Sequence, residues 1–355
     1  MHKCLDKPRD TSHWIISATN TFRLGSRKIL SSLHDTSYIN FGGNRQNIEG
    51  SMRQIWEADN GYKLAQSDQE GAEALIVAYL SKDGQYRTLF KNKIKVHSFL
   101  ALQIFSDQFK KYFNADNIQT ALNTKIENLK LLPFWEKLDS IIKDSDNWNS
   151  KERYYFIAKK IVHASSYGMG ASKFRMAVLE ESGGTIVLTK QEAEQYLMMF
   201  FKFFPEIHLW HSRCYEEIRK NKELRNLFGY PFKFTGYIDD NMVREAYAFV
   251  PQSTVGTITN IAITKMQDFI ENNNKNWHIL NNCHDSFLIE CPDNNIETKE
   301  CISKMKEYLN MEFTSPIDGT KFKMSSNCKV GYNWSNYHET KNPNGMKDYD
   351  DTKTI

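Results

Sequence analysis

The chain has 355 residues, of which 40% are hydrophobic and 25% charged, and its net charge is +3. This composition is ordinary for a globular protein with room for two or three domains, and it excludes a strongly basic or acidic chain that would announce its partner by charge alone. No apolar run approaches the ~20 residues of a membrane span, Met1-His2-Lys3-Cys4 lacks a signal-peptide core, and the six cysteines show no C-x-x-C or zinc spacing. Free thiols, an intracellular cytoplasmic location and no membrane partner are therefore expected.

Residues 1–60 are rich in Thr, Ser, Asn, Gly and Arg and read as extended segments and loops laid over another surface. Arg23, Arg27, Lys28, Arg45 and Arg53 make this stretch basic, suited to phosphates or simply to a solvated loop region. Tyr62 to Ser67 predicts a strand running into Asp68. Gly71-Ala72 follows as a small-residue turn, and Glu73 to Leu80 begins an amphipathic helix. Asp68 thus falls at the end of a strand just before a helix, a common place for chemistry in sheet proteins. Tyr86 to Phe105 is helical in pattern and carries Lys91, Lys93, Lys95 and His97. Residues 107–150 continue as polar helices and loops around one apolar knot, Leu131 to Trp135.

Lys151 to Gly168 predicts a helix in which Tyr155, Lys159, His163 and Tyr167 recur every four residues and share one face. That face suits a triphosphate with a stacked base, and equally a half-buried aromatic face with a snorkelling lysine. Thr189 to Asn221 reads as one or two long helices, with Leu197 to Phe204 as core. Gly229 to Phe234 reads as a hairpin edge. Asn241 to Asn274 reads as helix interrupted at Pro251-Gln252-Ser253-Thr254, with Arg244, Ala248 and Gln252 on one face.

Ile279 to Pro292 predicts two short strands joined at His284-Asp285-Ser286. A carboxylate at a hairpin tip is exposed and rigidly aimed. It either bonds its own turn or binds a cation. Asp68 is its candidate partner, since two converging carboxylates repel unless divalent cations lie between them. Such a pair suits nucleotidyl transfer. A helix at Ile296 to Leu309, a strand near Phe322 to Cys328 and a polar, disordered tail from Ser335 complete the prediction.

Taken in order, the motifs resemble family A (DNA polymerase I-like) DNA polymerases. Asp68-Gln69-Glu70-Gly71-Ala72-Glu73 with Leu75 to Ser81 resembles the first palm motif. Lys159 with Tyr167-Gly168 resembles the fingers helix, and His284-Asp285 the His-Asp-Glu hairpin. Arg244 with Pro251-Gln252-Ser253-Thr254, Thr19 to Arg23 with Gln46-Asn47-Ile48, and Val330 to Trp334 resemble further motifs in family order. The resemblance implies an α+β fold: a right-hand palm of antiparallel sheet and helices, with helical fingers inserted between Asp68 and Asp285. The implied divisions are 1–60 leading segment and palm edge, 61–106 palm, 107–225 fingers, 226–334 second palm part and 335–355 disordered tail.

It further implies template-directed addition of dNTPs to a primer 3′-hydroxyl. Two Mg²⁺ ions would be held by Asp68, Asp285 and the backbone carbonyl of Gln69. Lys159 and His97 would meet the triphosphate, Glu73 would crowd the sugar 2′-position, and Tyr155, His163 and Tyr167 would complete the nucleotide site. Arg23, Arg244, Gln252, His284 and Tyr167 would contact primer-template DNA. This chain departs from the family pattern at Tyr155 (an Arg, with Arg153 a possible substitute), His163 (Phe or Tyr), Ser286 (Glu), Gly71 (Gln) and Ala248 (Asn). The first motif stands by Thr19, so the resemblance is to a phage-like variant without thumb or exonuclease. A separate chain is expected to supply them, with a phage-infected bacterium as one setting. A non-catalytic nucleic-acid-binding remnant and a single-subunit RNA polymerase are the alternatives.

Overall fold

The computed structural model describes residues 13–15, 19–27, 29–32, 38–41, 46, 48, 50–147 and 152–350. Lys28, Arg45, Asn47 and Lys151 lie outside the described residues. Two antiparallel pairs open the chain: β1 (His13–Ile15) with β2 (Gly25–Arg27), and β3 (Ile29–Ser32) with β4 (Tyr38–Phe41). The long strand β5 (Tyr62–Gln69) leads into α1 (Ala72–Leu80). Helices α2 (Gln85–Lys91), α3 (Val96–Phe109), α4 (Ala115–Asn123), α5 (Trp135–Asp144) and α6 (Tyr154–Ser166) follow. Next come α7 (Ala171–Glu181), α8 (Lys190–Phe203) and α9 (Pro205–Asn221), then a hairpin of β6 (Glu223–Arg225) and β7 (Pro231–Lys233).

Helix α10 (Asp240–Asn272) precedes the hairpin of β8 (His278–Asn282) and β9 (Ser286–Pro292). Last are α11 (Asn295–Leu309), the pair β10 (Glu312–Thr314) and β11 (Lys321–Lys323), β12 (Ser326–Gly331) and β13 (Lys347–Asp348). Side-chain caps mark several starts, as short polar side chains at a helix N-terminus should. Asn114, Asp239 and Asn294 each accept from a backbone N–H of the first turn, and Thr189 with Glu192 forms a reciprocal capping box.

The central sheet is antiparallel, in the order β13-β12-β5-β9-β8. Side chains alternate across a strand. One face of β5 therefore carries Ala65, Ser67 and Gln69 toward the main core, and the other carries Leu64, Gln66 and Asp68. The main core joins Ala65, Phe287, Ile289 and Cys328 to apolar residues of the helices, including Ile76, Val77, Val255 and Ile302. On the opposite face Leu64, Leu288, Trp334 and Met346 form a small second core. An α+β architecture with a helical block between β5 and β9 is thus what the motif order predicts. Among the described residues no helix is long and apolar enough to cross a membrane.

Four expectations are corrected. First, the single helical pattern over Tyr86 to Phe105 is two helices, because Lys93 takes a left-handed conformation (φ 53°) between α2 and α3. Second, α10 runs unbroken through Pro251. A buried proline removes one backbone donor, but the buried surroundings hold the helix together. Third, Leu197 to Phe204 is not all core. Phe200 and Phe204 are fully buried whereas Met198 is exposed, as a one-sided helical stripe requires. Fourth, the polar tail is ordered over 335–350: β13 pairs with β12, and Met346 is buried. Composition failed here because the segment is held by side-chain amides, with Asn333 and Asn342 each donating to the other at 2.7 and 3.0 Å.

The leading segment does pack on another surface. Asn260 Nδ2 on α10 donates to Phe22 O at 3.0 Å, and Phe22 meets the rings of Tyr230 and Phe249 edge-on. A Cβ at Gly256 would come within 3.2 Å of Thr21 O, so glycine is what lets the two backbones approach.

Candidate active site

Strand register brings the two predicted carboxylates together. Asp68 pairs across the ladder with Ser286, so Asp285, one residue earlier at the tip of the β8–β9 hairpin, lies beside it. The tip is shaped by His284 at φ 71°, whose N–H donates to Asn282 Oδ1 at 3.0 Å, and is tied to β5 by Gln69 N donating to Asp285 O at 3.1 Å. The Asp68 carboxylate is open to solvent yet recessed in its cleft. That partial burial and the neighbouring Asp285 push its pKa up to about 7, against the pull of Lys329. Burial raises Asp285 as well. Two hard oxygen donors that resist ionising together, next to a main-chain carbonyl, are the chemistry that suits a hydrated divalent cation. Among the described residues no group of three or more His, Cys, Asp or Glu side chains could hold a metal, so the candidate donors are these two carboxylates and the carbonyl. The donors therefore fit the two-carboxylate expectation.

Ser286, where the resemblance leads one to expect Glu, is buried and its Oγ accepts from Gln66 Nε2 at 2.9 Å. Gln69 is also buried, its Nε2 donating to Thr259 Oγ1 at 2.8 Å; this fixes the backbone from which its carbonyl projects. His284 is half-buried, and its Nδ1 has no hydrogen-bond partner among the described residues.

Glu73, on the first turn of α1, receives hydrogen bonds from both Arg23 and the Tyr167 phenol. Burial and Glu73 drive Tyr167 well above the ordinary phenol range, so it stays a donor. His163 sits edge-on to Tyr167 with ring centroids 5.1 Å apart. Further up α6, the Lys159 ammonium lies over the Tyr155 ring and reaches Asp146 Oδ2 at 3.4 Å. His97 packs edge-on to Tyr155, and burial with Lys159 and Lys95 nearby pushes its pKa down to about 4, making it a neutral hydrogen-bonding group. Arg153 does not join the nucleotide face of α6. Its Nε donates to Asp146 O at 2.7 Å, and its guanidinium lies over Phe156.

Arg244 and Gln252 share a half-exposed face of α10 with Ala248. Arg244 bonds Asn241 Oδ1 at 2.8 Å and, with Gly168, lines a groove of about 540 Å³ at the end of α6. There Tyr247 stacks on His211 at 3.9 Å, and His211 Nε2 bonds Ser166 O at 2.8 Å. The structure thus gathers Asp68, Asp285, His284, Gln69, Glu73, Arg23 and Tyr167 at one centre. Lys159, Tyr155 and His97 form an adjoining patch.

Sequence reasoning missed Asp146, which occupies the predicted triphosphate lysine, and Lys329 and Gln66, which flank Asp68. Strand pairing is the signal that finds the last two: Asn327 stands opposite Asp68, and Lys329 opposite Gln66. No local pattern marks Asp146.

The sequence model of DNA polymerase family A matches residues 138–336. DNA polymerase I of Helicobacter pylori is 30% identical over 44% of this chain and 17% of its own length. DNA polymerase I of Treponema pallidum is 22% identical over 83% of this chain and 26% of its own, and the thermostable enzyme of Thermus filiformis 23% identical over 75% and 26%. The chain therefore spans about a quarter or less of the length of these relatives. Among solved structures, the POL domain of Pol1 from M. smegmatis, in complex with DNA primer-template and dNTP, shares the fold with a TM-score of 0.61. It is 16% identical, over 91% of this chain and 47% of that one.

Proposed function

Because the chain belongs to DNA polymerase family A, with the family match covering more than half of it, we infer that its site extends a primer 3′-hydroxyl with dNTPs on a DNA template. The observation that carries this reading is the convergence of Asp68 and Asp285 at a strand end and a hairpin tip. Asp68, Asp285 and the carbonyl of Gln69 would hold two Mg²⁺ ions, which when bound acidify the hydroxyl and neutralise the leaving pyrophosphate.

The side chains do the rest. Lys159 supplies a positive charge to the triphosphate, and neutral His97 supplies a hydrogen bond. Glu73, held between Arg23 and Tyr167, would crowd a ribose 2′-hydroxyl and favour deoxynucleotides. His284, Arg244 and Gln252 offer donors to the primer-template.

Primer extension on a labelled primer-template with Mg²⁺ tests the reading. Templated extension with dNTPs, weak with NTPs and fading steeply with salt, is expected. Duplex binding without extension would favour the remnant. NTP preference would favour the RNA polymerase.

Asp146 yields a separate expectation. Its carboxylate holds Lys159 where phosphate would compete for it. An exposed ion pair is worth up to about 1 kcal/mol, so Asp146→Asn should lower KM for dNTP by up to about fivefold. A raised KM would show instead that Asp146 positions the lysine.

A further inference from the structure

A row of polar side chains joins the two carboxylates to the patch on α6. It starts at Asn327, which stands opposite Asp68 in the β5–β12 ladder. Asn327 Nδ2 donates to Glu70 Oε1 at 2.7 Å, and Lys95 Nζ donates to the same oxygen at 3.1 Å. Lys95 is the residue just before α3, and His97, two residues on, lies within electrostatic reach of both Lys95 and Lys159. Lys95 is thus a cation standing between the Asp68 centre and the patch of Lys159, Tyr155 and His97.

Three features set it apart from an ordinary surface lysine. First, its side chain is half exposed, and among the described residues Glu70 is the one carboxylate within salt-bridge distance. Second, Glu70 does not depend on it. Asn327 and, at 3.4 Å, Ser325 Oγ would still bond the carboxylate if the lysine left. An exposed ion pair is weak, so an incoming polyanion can take Lys95 from Glu70 with little loss. Third, the neighbouring patch is short of charge. The α6 face offers one ammonium, Lys159, which Asp146 already engages, and the preceding turn of that face presents the Tyr155 ring rather than a second cation.

We propose that Lys95 is a ligand of the nucleotide's pyrophosphate portion, parked on Glu70 while the site is empty and transferred to the two outer phosphates when a nucleotide enters. The phosphate that reacts must lie at Asp68 and Asp285, and the two beyond it run toward Lys159. The ammonium between those points therefore meets the outer pair. The identity of the anion rests on the polymerase reading.

Steady-state primer extension by the full chain tests the exchange. It is run at saturating Mg²⁺, because Glu70 also bears on Asp68. Lys95→Ala should raise KM for dNTP about tenfold, the loss of one charge-assisted hydrogen bond, and Lys95→Arg should recover most of it. Glu70→Gln keeps an acceptor for Asn327 and a polar partner for Ser325 but no charge for the lysine. It should lower KM by up to about fivefold. Opposite signs are the mark of exchange. A KM raised by both variants would show a structural strut and overturn the proposal. So would an unchanged KM in Lys95→Ala, or a reduced salt slope of primer-template binding, which would assign Lys95 to a DNA phosphate. A readout without primer separates this assignment from the polymerase reading: displacement, by inorganic pyrophosphate, of a fluorescent dATP analogue bound with Mg²⁺. If the chain extends no primer but Lys95→Ala weakens pyrophosphate binding about tenfold, the polymerase reading fails and Lys95 remains a phosphate ligand. Equal pyrophosphate binding by the natural chain and Lys95→Ala overturns the assignment.

Discussion

Asp68→Asn is expected to abolish primer extension, by at least about 10³-fold or roughly 4 kcal/mol of barrier, while making the metal-free chain more stable. The two effects have one cause. Asp68 and Asp285 are recessed side by side, and Asp68 is pushed up to about 7 from an ordinary 3.8 by burial and by its neighbour. A carboxyl whose folded pKa exceeds its unfolded value binds protons more tightly when folded. Stability therefore falls as pH rises from 3.8 to about 7. Asparagine removes that loss. In EDTA the melting temperature of the variant should exceed that of the natural chain by an amount that opens above pH 4 and levels off near pH 7. The gain should be on the order of 1 kcal/mol once solvent screening at this open carboxylate is allowed for. Thermal melts across pH, beside extension assays with Mg²⁺, check both halves. An active variant would sink the catalytic assignment, and a flat difference between pH 4 and 7 would sink the electrostatic account.

The largest stability effect is expected at Arg87→Met. The Arg87 side chain is completely buried on α2. Its Nε donates to Ala78 O at 3.0 Å and its Nη2 to Ser81 O at 2.5 Å, its Nη1 bonds Asp318, and the guanidinium lies over the Tyr79 ring at 4.8 Å. Tyr79 in turn stacks on Phe322 at 4.2 Å, and Tyr79 O accepts from Ser315 Oγ at 2.7 Å. One side chain thus fastens the end of α1 to the turn between β10 and β11. Methionine fills much of the volume but leaves the two carbonyls without this donor, a loss of about 3–5 kcal/mol.

The guanidinium also holds the Asp318 carboxyl well below its ordinary range. That contribution is present above the unfolded pKa of about 3.8 and fades as pH falls below it. Acid should therefore cost the natural chain stability that Arg87→Met has already lost. Denaturant unfolding at neutral pH and near pH 3 measures both. Equal stability of the two chains at neutral pH would show that the buried cation is replaceable.

Where the sequence was legible, the information was local. The strand into Asp68, the four-residue recurrence of Tyr155, Lys159, His163 and Tyr167, and the hairpin at Asp285 each follow from a periodicity or a turn within a few residues. The structure has all three. The kink at Lys93 and the continuity of α10 through Pro251 were not legible, because a left-handed residue and a tolerated proline depend on what packs around them. The ordered tail was missed for a related reason: polar composition predicts disorder, and here polar side chains bond one another in a buried pair.

The sequence by itself determined most of the elements, the motif order and the two candidate carboxylates, since these depend on residue type and short spacing. Only the tertiary structure decided their company: Lys329 and Asn327 opposite Gln66 and Asp68, Asp146 on Lys159, Arg23 and Tyr167 both on Glu73. Those pairings join residues far apart in the chain. They are set by strand register and helix packing, which minimise exposed apolar surface over the whole fold and leave no mark at either partner's position in the sequence.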